Sequence, residues 1–365
     1  MKILAIDVGT GTEDILLYDS EKEIENSMKL VIPSPHLTIG QMITECDNDI
    51  YFDGVIMGGG KIKERCLEHM EKGYKVVFED LAARTIRDNI EQVKSYGFEV
   101  ADENSYEDPK YSNYTKISLK DVDVNHLIDI FSSFDLDLEV DELIVAVQDH
   151  GYSEDMGDRD FRFEKIKEKL PEPKEPEVFA MEAEEVPEYF TRMQSVIKSL
   201  AKDNPEFKPV IMDTKFASIA GVCYDKEVIN LNSVVVMDIG NGHTTVASIE
   251  DGKIQGVFEH HTRDLTPQRL EELVLALADG TIRHEDVHDE GGHGAFALNP
   301  ISKIEKVVVA GPKRALIEDT NLDYYHAAPG GDVMMTGTVG LVKSMEFLRK
   351  NSNKIWCEKL KIIVI

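Results

Sequence analysis

Cysteine is scarce in this sequence, with four residues in a chain of 365. The four stand far apart, and no two of them form the C-x-x-C pair that a thiolate metal centre or a redox dithiol needs. This spacing predicts reduced thiols rather than a metal or redox site. The residues concerned are Cys46, Cys66, Cys223 and Cys357.

Long apolar runs are also missing. No stretch reaches the ~18 residues of a membrane-spanning helix. The N-terminus enters a strand pattern at once, without the basic segment, apolar core and cleavage site of a secretory signal. We therefore expect a cytoplasmic protein that does not interact with membranes.

Basic residues are outnumbered, because 40 Lys and Arg stand against 69 Asp and Glu and give a net charge of −29. A charge of this sign repels phosphate backbones and anionic lipid surfaces. Nucleic acid is therefore not expected as a partner. The hydrophobic content of 42% is ordinary for a globular protein, and 365 residues exceed one typical core, so we expect two domains.

The strongest feature of the sequence is an internal repeat. Residues 3–12 (ILAIDVGTGT) return as residues 234–244 (VVVMDIGNGHT): an apolar strand, then Asp, then two glycines separated by one residue. Two more strand-like runs follow each copy, which predicts that each copy opens a three-stranded meander. The repeat thus predicts two related domains.

We expect the first domain to span residues 1–225 and the second residues 226–353. Strands and helices alternate up to about residue 150, as is typical of a mixed α/β domain. Residues 151–185 are rich in proline and acidic residues, so they are expected to form an exposed insertion. The tail, residues 354–365, ends in an apolar run and resembles an additional strand.

The repeated turn suits a site for phosphate and a divalent cation. Glycines let backbone N–H groups approach an anion, and threonines can donate hydroxyl hydrogen bonds. Asp7 and Asp238 are suited to holding Mg²⁺ and its waters. One such turn is most often only a hairpin, but two copies can hold a nucleotide's phosphates from both sides. The candidate phosphate-binding residues are Gly9, Thr10, Gly11 and Thr12 in the first copy and Gly240, Asn241, Gly242, His243 and Thr244 in the second.

These motifs resemble those of the superfamily of acetate and sugar kinases, heat-shock chaperone ATPases and actin. The two turns are similar to its two phosphate motifs, residues 143–148 to the strand that enters its cleft, and residues 212–220 to its connecting helix. The resemblance implies an α/β fold of two ribonuclease-H-like domains, with ATP and Mg²⁺ in the cleft between them.

The adenosine motif of that superfamily is similar to residues 307–313 (VVVAGPK). The resemblance implies that Gly311 and Lys313 lie beside the adenosine. Pro312 stands where the family has a second glycine, which is a departure from its pattern of base recognition.

Besides Asp7, two further carboxylates are candidates for catalysis. The resemblance gives Asp213 the acidic position that holds the metal or the attacking water in chaperones. Asp149 and His150 are alternatives as a base, because a base must lie within hydrogen-bond reach of the nucleophile, but they are as well explained as a turn pair that caps a strand. His243 could pair with phosphate as imidazolium or be a half-exposed strand residue.

The overall resemblance is to a family of archaeal proteins of unknown function that is labelled as a pyruvate formate-lyase activating enzyme. Such activators are radical enzymes whose iron–sulfur cluster needs three thiolates close in sequence. The four separated cysteines cannot supply them. A nucleotide-dependent activator of some other enzyme stays open.

Histidines are concentrated in residues 284–294. His284 and His288 are four residues apart and could share a helix face that holds a transition metal, although no third ligand stands at a definite spacing. Alternatively, the glycines around His293 form a flexible loop at the cleft mouth that lets this histidine reach a substrate. A solvated loop without a ligand is the third interpretation.

The sequence supports two functional hypotheses. In the first, the chain is an enzyme that binds Mg-ATP and transfers a phosphoryl group to water or to a small hydroxylated molecule. In the second, ATP closes the cleft and the closed form docks on a partner protein, with the acidic insertion as the docking surface. The sequence sets neither the acceptor, the partner nor the oligomeric state.

Overall fold

The computed structural model describes residues 1–136 and 138–363, and for residues 352–363 it describes the backbone alone. In chain order the strands are β1 (Lys2–Val8), β2 (Thr12–Asp19), β3 (Met28–Pro33), β4 (Ile50–Gly54), β5 (Val76–Glu79), β6 (Glu99–Ala101), β7 (Thr115–Leu119), β8 (Glu142–Val147), β9 (Met181–Glu182), β10 (Val210–Met212), β11 (Ser233–Ile239), β12 (His243–Glu250), β13 (Lys253–His261), β14 (Gly294–Ala297), β15 (Lys306–Ala310) and β16 (Tyr324–His326). The α-helices are α1 (Pro35–Glu45), α2 (Ile62–Glu71), α3 (Asp80–Ala83), α4 (Ile90–Ser95), α5 (Val124–Ser132), α6 (Asp158–Lys169), α7 (Thr191–Asp203), α8 (Thr214–Cys223), α9 (Pro267–Ala278), α10 (Glu285–His288) and α11 (Thr336–Ile363).

Two six-stranded sheets share the arrangement of five of their strands. The first has the order β3-β2-β1-β8-β10-β9 and the second the order β14-β13-β12-β11-β15-β16. In each, three consecutive strands form an antiparallel meander, and two later strands add in parallel beside the first one. The sixth strand differs, since β9 pairs with β10 whereas β14 pairs with the meander strand β13. The five shared strands have the ribonuclease-H-like order, so the fold implied by the resemblance is confirmed.

The strands are apolar on both sides because helices cover both faces of each sheet. In β1, Ile3 and Ala5 face a core that also contains residues of α8, α11 and the second sheet, whereas Leu4 and Ile6 face a separate core with α5 and α7. Alternate residues of a strand point to opposite faces. One core is therefore shared by the two sheets, and α8 and α11 lie within it.

The helices α8 and α11 cross in backbone contact inside this shared core. A Cβ added at Gly340 would overlap the carbonyl oxygen of Ala217, and one at Gly221 would overlap that of Thr336. Only glycine fits where two helix backbones approach this closely. The crossing thus fixes how the two sheets are joined.

Along the chain, a third sheet is inserted between the meander of the first sheet and the strand β8 that pairs with β1. It has four parallel strands in the order β6-β5-β4-β7 and its own apolar core with α1, α2 and α3. The sequence pattern had placed these strands in one mixed α/β domain with β1–β3. Strand patterns do not reveal which sheet a strand joins, because pairing is decided by tertiary contacts.

Two sequence expectations are wrong. Residues 151–185 do not form an exposed insertion, because α6 lies in this segment and buries Arg162, Phe163 and Ile166. The tail was expected to be a strand, but α11 continues to Ile363, and residues 364–365 lie outside the described residues. A short apolar run does not distinguish a strand from a helix by periodicity alone. Among the described helices, none combines the length and the apolar character required to cross a membrane.

The helix crossing predicts that Gly340→Ala lowers the free energy of unfolding by roughly 1–3 kcal/mol, since the added methyl group meets backbone that cannot move independently. Gly40→Ala in α1 is the matched control, because its Cβ would meet only the side chain of Arg65 at 3.7 Å. The control should gain up to about 1 kcal/mol from helix propensity. Urea unfolding measures both. Equal effects of the two substitutions would contradict a tight crossing.

Candidate functional site

The two repeated turns are built in the same way. The N–H of Gly9 donates to the carbonyl of Thr12 at 2.9 Å, and the N–H of Gly240 donates to that of His243 at 3.0 Å. The turns also face each other, because a Cβ at Gly11 would stand 2.5 Å from Nδ2 of Asn241. The two copies of the repeat therefore meet tip to tip.

A cleft of about 470 Å³ lies beside these tips. Its walls come from both large sheets and from the third sheet, which contributes residues 56–60 and 84–89. Eleven of the predicted site residues line it: Asp7, Gly9, Thr10, Gly11, Thr12, Asp149, Asp238, Gly240, Asn241, Gly242 and Gly311. Asp213, His243, Thr244, Lys313 and His293 are not among its lining residues.

Asp7 is buried at the end of β1 and accepts a hydrogen bond from the hydroxyl of Thr214 at 2.5 Å. Its pKa is raised to about 8, mainly by burial and also by the charges of Asp14 and Asp238, while the hydrogen bond of Thr214 opposes the shift. A cation placed beside this carboxylate would stabilise its charged form.

Asp238, at the equivalent place on β11, is paired with Lys215. The Lys215 Nζ donates to Asp238 Oδ2 at 2.8 Å and to the carbonyl of His243 at 3.1 Å, so this lysine supports the second turn. Burial would lower the pKa of Lys215, but the charge of Asp238 and this hydrogen bond keep it above its usual value. Thr214 and Lys215 were missed as site residues, although both lie in the segment similar to the connecting helix.

Asp213 points away from the cleft. Its carboxylate caps α8 by accepting from the N–H of Lys215 at 3.0 Å and forms a two-point pair with Arg162, at 2.6 and 3.2 Å. The same guanidinium donates to both oxygens of Glu259, at 3.0 and 2.8 Å. Although burial opposes it, the charge of Arg162 holds the pKa of Glu259 well below its usual range.

Asp149 lines the cleft but is also a capping residue. Its carboxylate accepts from the N–H of Gly151 at 2.8 Å and from those of Arg192 and Met193 at 2.9 Å, which caps the start of α7. Burial raises its pKa to about 6, against the lowering effect of these hydrogen bonds. His150, next in sequence, also lines the cleft.

Four predicted residues point elsewhere. Thr244 is fully buried and pairs with the hydroxyl of Thr262 at 3.0 Å, and the side chain of Lys313 is on the surface. His243 lies against the rings of His150 and His293. His293 was expected on a flexible loop at the cleft mouth, but its side chain is buried, with 1% of the residue exposed. Its backbone N–H donates to the carbonyl of Glu259, which ties this segment to β13.

Gly311 follows β15 directly and lines the cleft beside Asp238. Its φ of 93° lies in the left-handed region, and a Cβ there would stand 2.6 Å from Oδ1 of Asp238. Only glycine combines this backbone with this close approach. Pro312, the departure from the adenosine motif, also lines the cleft.

Arg162 neutralises two buried carboxylates, so Arg162→Leu should lower the free energy of unfolding by about 3–5 kcal/mol. Arg283→Leu is the control, because Arg283 pairs with Asp286 at the surface with its side chain 73% exposed. The control should change stability by no more than about 0.5 kcal/mol. Denaturant unfolding measures both, and an equally small loss at Arg162 would contradict the buried network.

Two further carboxylates, Glu13 and Asp14, are buried on β2 behind the first turn. Burial raises the pKa of Glu13 to about 8 and that of Asp14 to about 7, and neighbouring acidic groups add to both shifts. Within the described part of the chain, Glu13 Oε1 and Asp14 Oδ1 have no hydrogen-bond partner. Ionising these carboxylates in the folded protein therefore costs free energy.

A folded-state pKa above the unfolded value means that the stability linked to Glu13 is fully present below about pH 4.5 and is lost as the pH rises towards 8. We expect Glu13→Gln to be more stable than the wild type by about 1–2 kcal/mol at pH 8 and equal to it at pH 5. Glu23→Gln, at an exposed position, should match the wild type at both. Thermal unfolding at the two pH values measures this, and a pH-independent difference would contradict it.

Solved structures similar to this chain share little sequence with it. Ethanolamine utilization protein EutJ from Carboxydothermus hydrogenoformans has 11% identity and a TM-score of 0.36, with 93% of this chain and 89% of that chain covered. Inorganic polyphosphate/ATP-glucomannokinase from Arthrobacter sp. strain KM has 11% identity and a TM-score of 0.35, covering 96% and 99%. The activator of 2-hydroxyisocaproyl-CoA dehydratase from Clostridium difficile, with bound ADPNP, has 10% identity and a TM-score of 0.29, covering 96% and 98%.

At such low identity and TM-score, these similarities carry no argument about activity. Among the curated proteins, none matches this chain at a significant level. One family model, described as "Putative pyruvate format-lyase activating enzyme (DUF1786)", matches residues 57–316, well over half of the chain. The chain therefore belongs to the DUF1786 family.

Proposed function

We propose that this protein binds ATP with Mg²⁺ in the cleft beside the two repeated turns and transfers the terminal phosphoryl group to water or to a small hydroxylated molecule. One observation carries the proposal: two copies of one Asp-x-Gly-x-Gly turn, from two sheets that share the same five-strand core, meet tip to tip at one cleft. Backbone N–H groups on both sides can then contact the phosphates.

The residues at the cleft fit a magnesium ion. Asp7, Asp14 and Asp238 line it with carboxylate oxygens, the ligands that Mg²⁺ prefers. The raised pKa values of Asp7 and Asp14 show that their charged forms are disfavoured by burial, and a cation beside them would favour ionisation. When bound, the ion would neutralise charge on the phosphates. Thr214 and Lys215 hold Asp7 and Asp238 in place.

The third sheet supplies the wall on which an acceptor would lie. Arg84, Arg87 and Gln92 line this wall, so it offers hydrogen-bond donors to a polar molecule. Of the two carboxylates predicted for catalysis besides Asp7, Asp149 lines the cleft and Asp213 does not. We therefore retain Asp149 as the candidate that orients or activates the acceptor, and assign Asp213 to the support of α8.

A nucleotide-dependent regulator that docks on a partner protein is the alternative. Its expected docking surface, residues 151–185, contributes α6 to the interior instead, which removes the feature that favoured it. The activating chemistry in the family description also lacks support. Cys66 is buried among apolar side chains of the third sheet, and burial raises the pKa of the Cys223 thiol to about 12.

Isothermal titration of the full chain with Mg-ATP tests the proposal. We expect saturable one-site binding that Asp7→Asn and Asp238→Asn each weaken roughly 10–100-fold, the usual cost of losing a group that positions a metal. Asp47→Asn, exposed and outside the cleft, is the control and should bind like the wild type. Thermal unfolding of each variant separates lost binding from lost folding. A wild type that gives no binding heat refutes the proposal.

Formation of ADP then separates a kinase, an ATPase and a regulator, because every transfer of the terminal phosphoryl group leaves ADP, whereas only transfer to water releases inorganic phosphate. Turnover that rises with a small hydroxylated molecule supports a kinase, and steady turnover without one supports an ATPase. Stimulation by a protein alone would support the regulator instead. Asp149→Asn should slow turnover by about 10²–10⁴-fold, the range expected for a catalytic base, while leaving Mg-ATP affinity near that of the wild type.

A further inference from the structure

We propose that His150, His243 and His293 form a binding site for one divalent transition metal ion, with zinc as the best fit, at the junction of the two large sheets. The proposal does not depend on nucleotide binding. It rests on the placement of three imidazoles that the sequence keeps far apart.

The three donors converge from separate elements. His150 follows β8 of the first sheet, His243 begins β12 of the second, and His293 precedes β14. One nitrogen of each ring lies within 4.8 Å of the others. Ring centroids are 4.8 Å apart for His243 and His293 and 5.3 Å apart for His150 and His293. Small rotations of these rings would bring the nitrogens to the Zn–N distance of about 2.0–2.1 Å around one ion.

A carboxylate orients one of the three rings. Nδ1 of His293 lies 2.8 Å from Oε1 of Glu259, and both side chains are fully buried. Glu259 is held in turn by Arg162 and by the hydroxyl of Thr245, at 3.2 Å. A carboxylate behind a histidine fixes its orientation and leaves the other ring nitrogen free for a metal. This arrangement is typical of metal-ligating histidines.

The ring nitrogens of the other two histidines are not engaged elsewhere. Among the described residues, none hydrogen-bonds to a ring nitrogen of His150 or His243, and both residues are partly buried. These nitrogens are therefore available to a metal, which binds the neutral form of imidazole.

The donor set indicates which metal fits. Three imidazoles and no carboxylate suit zinc, copper, nickel or iron, whereas Mg²⁺ prefers oxygen ligands. A fourth position would be left for water, substrate or the ring of His261, whose centroid is 4.8 Å from that of His243 and 5.3 Å from that of His293. Because His150 also lines the cleft, the ion would lie near the space where the phosphates of our proposed function lie.

A second histidine group is a weaker candidate. His284 and His288 lie near Asp160, which is the third ligand that the sequence pattern lacked. Nε2 of His288 is 2.9 Å from Asp160 Oδ1, so an ion pair at the surface accounts for this contact. The group therefore serves as a comparison in the experiment.

Titration of the metal-free full chain with Co²⁺, without nucleotide, tests the site. We expect one Co²⁺ per chain, visible absorption typical of nitrogen ligands in a low-coordinate site, and displacement by Zn²⁺. His243→Ala and His150→Ala should each weaken binding at least about 100-fold, since loss of a ligand costs no less than loss of an outer partner. His126→Ala, exposed on α5, and His288→Ala are the controls and should bind like the wild type.

Several outcomes would overturn the site. These are a wild type without stoichiometric Co²⁺, unchanged binding in both His243→Ala and His150→Ala, and loss of binding in His288→Ala. Thermal unfolding of the metal-free variants shows whether each one folds, and the two ligand variants are independent tests because His150 and His243 lie on different sheets. Mg-ATP titration of the same samples is a separate measurement. Absence of Co²⁺ binding would therefore not contradict the nucleotide proposal, and absence of Mg-ATP binding would not contradict the metal site.

Discussion

The crossing of α8 and α11 is the constraint on which the rest of the structure depends. Glycines at the contact let the two helix backbones touch, and the apolar core that both sheets share forms around them. The same crossing positions the site. The first turn of α8 holds Asp7 through Thr214 and Asp238 through Lys215, while Gly337 of α11 leaves room for the Asp7 carboxylate. The helix crossing that joins the two sheets therefore also positions the two aspartates of the cleft.

Buried charge forms a second layer of organisation. The guanidinium of Arg162 links Asp213, at the start of α8, to Glu259 on the second sheet, and Glu259 reaches His293. Here the charges are compensated. The carboxylates of Asp7 and Asp14 at the first turn lack such compensation. Their raised pKa values show that ionising them in the folded protein costs free energy, as is common at functional sites.

The cleft proposed to bind nucleotide and the histidine cluster share one structural element. The second turn ends at His243, so a shift of this turn changes the cleft and the histidine cluster together. Phosphates at Gly240 and Gly242 and a metal at the three histidines would be neighbours, and each would draw together groups from both sheets. Closure of the cleft and assembly of the metal site would then be coupled through the position of one hairpin.

The sequence by itself determined the duplicated fold and the residues of the two turns, because strand alternation and glycine placement are local properties that a repeat makes visible. It did not reveal that the charged residues 158–169 form a helix that buries Arg162, or that Asp213 is paired away from the cleft. Those depend on partners such as Glu259, which lie far along the chain. Tertiary structure alone decided these contacts and the meeting of His150, His243 and His293, since only the packing of two sheets brings such distant side chains within reach.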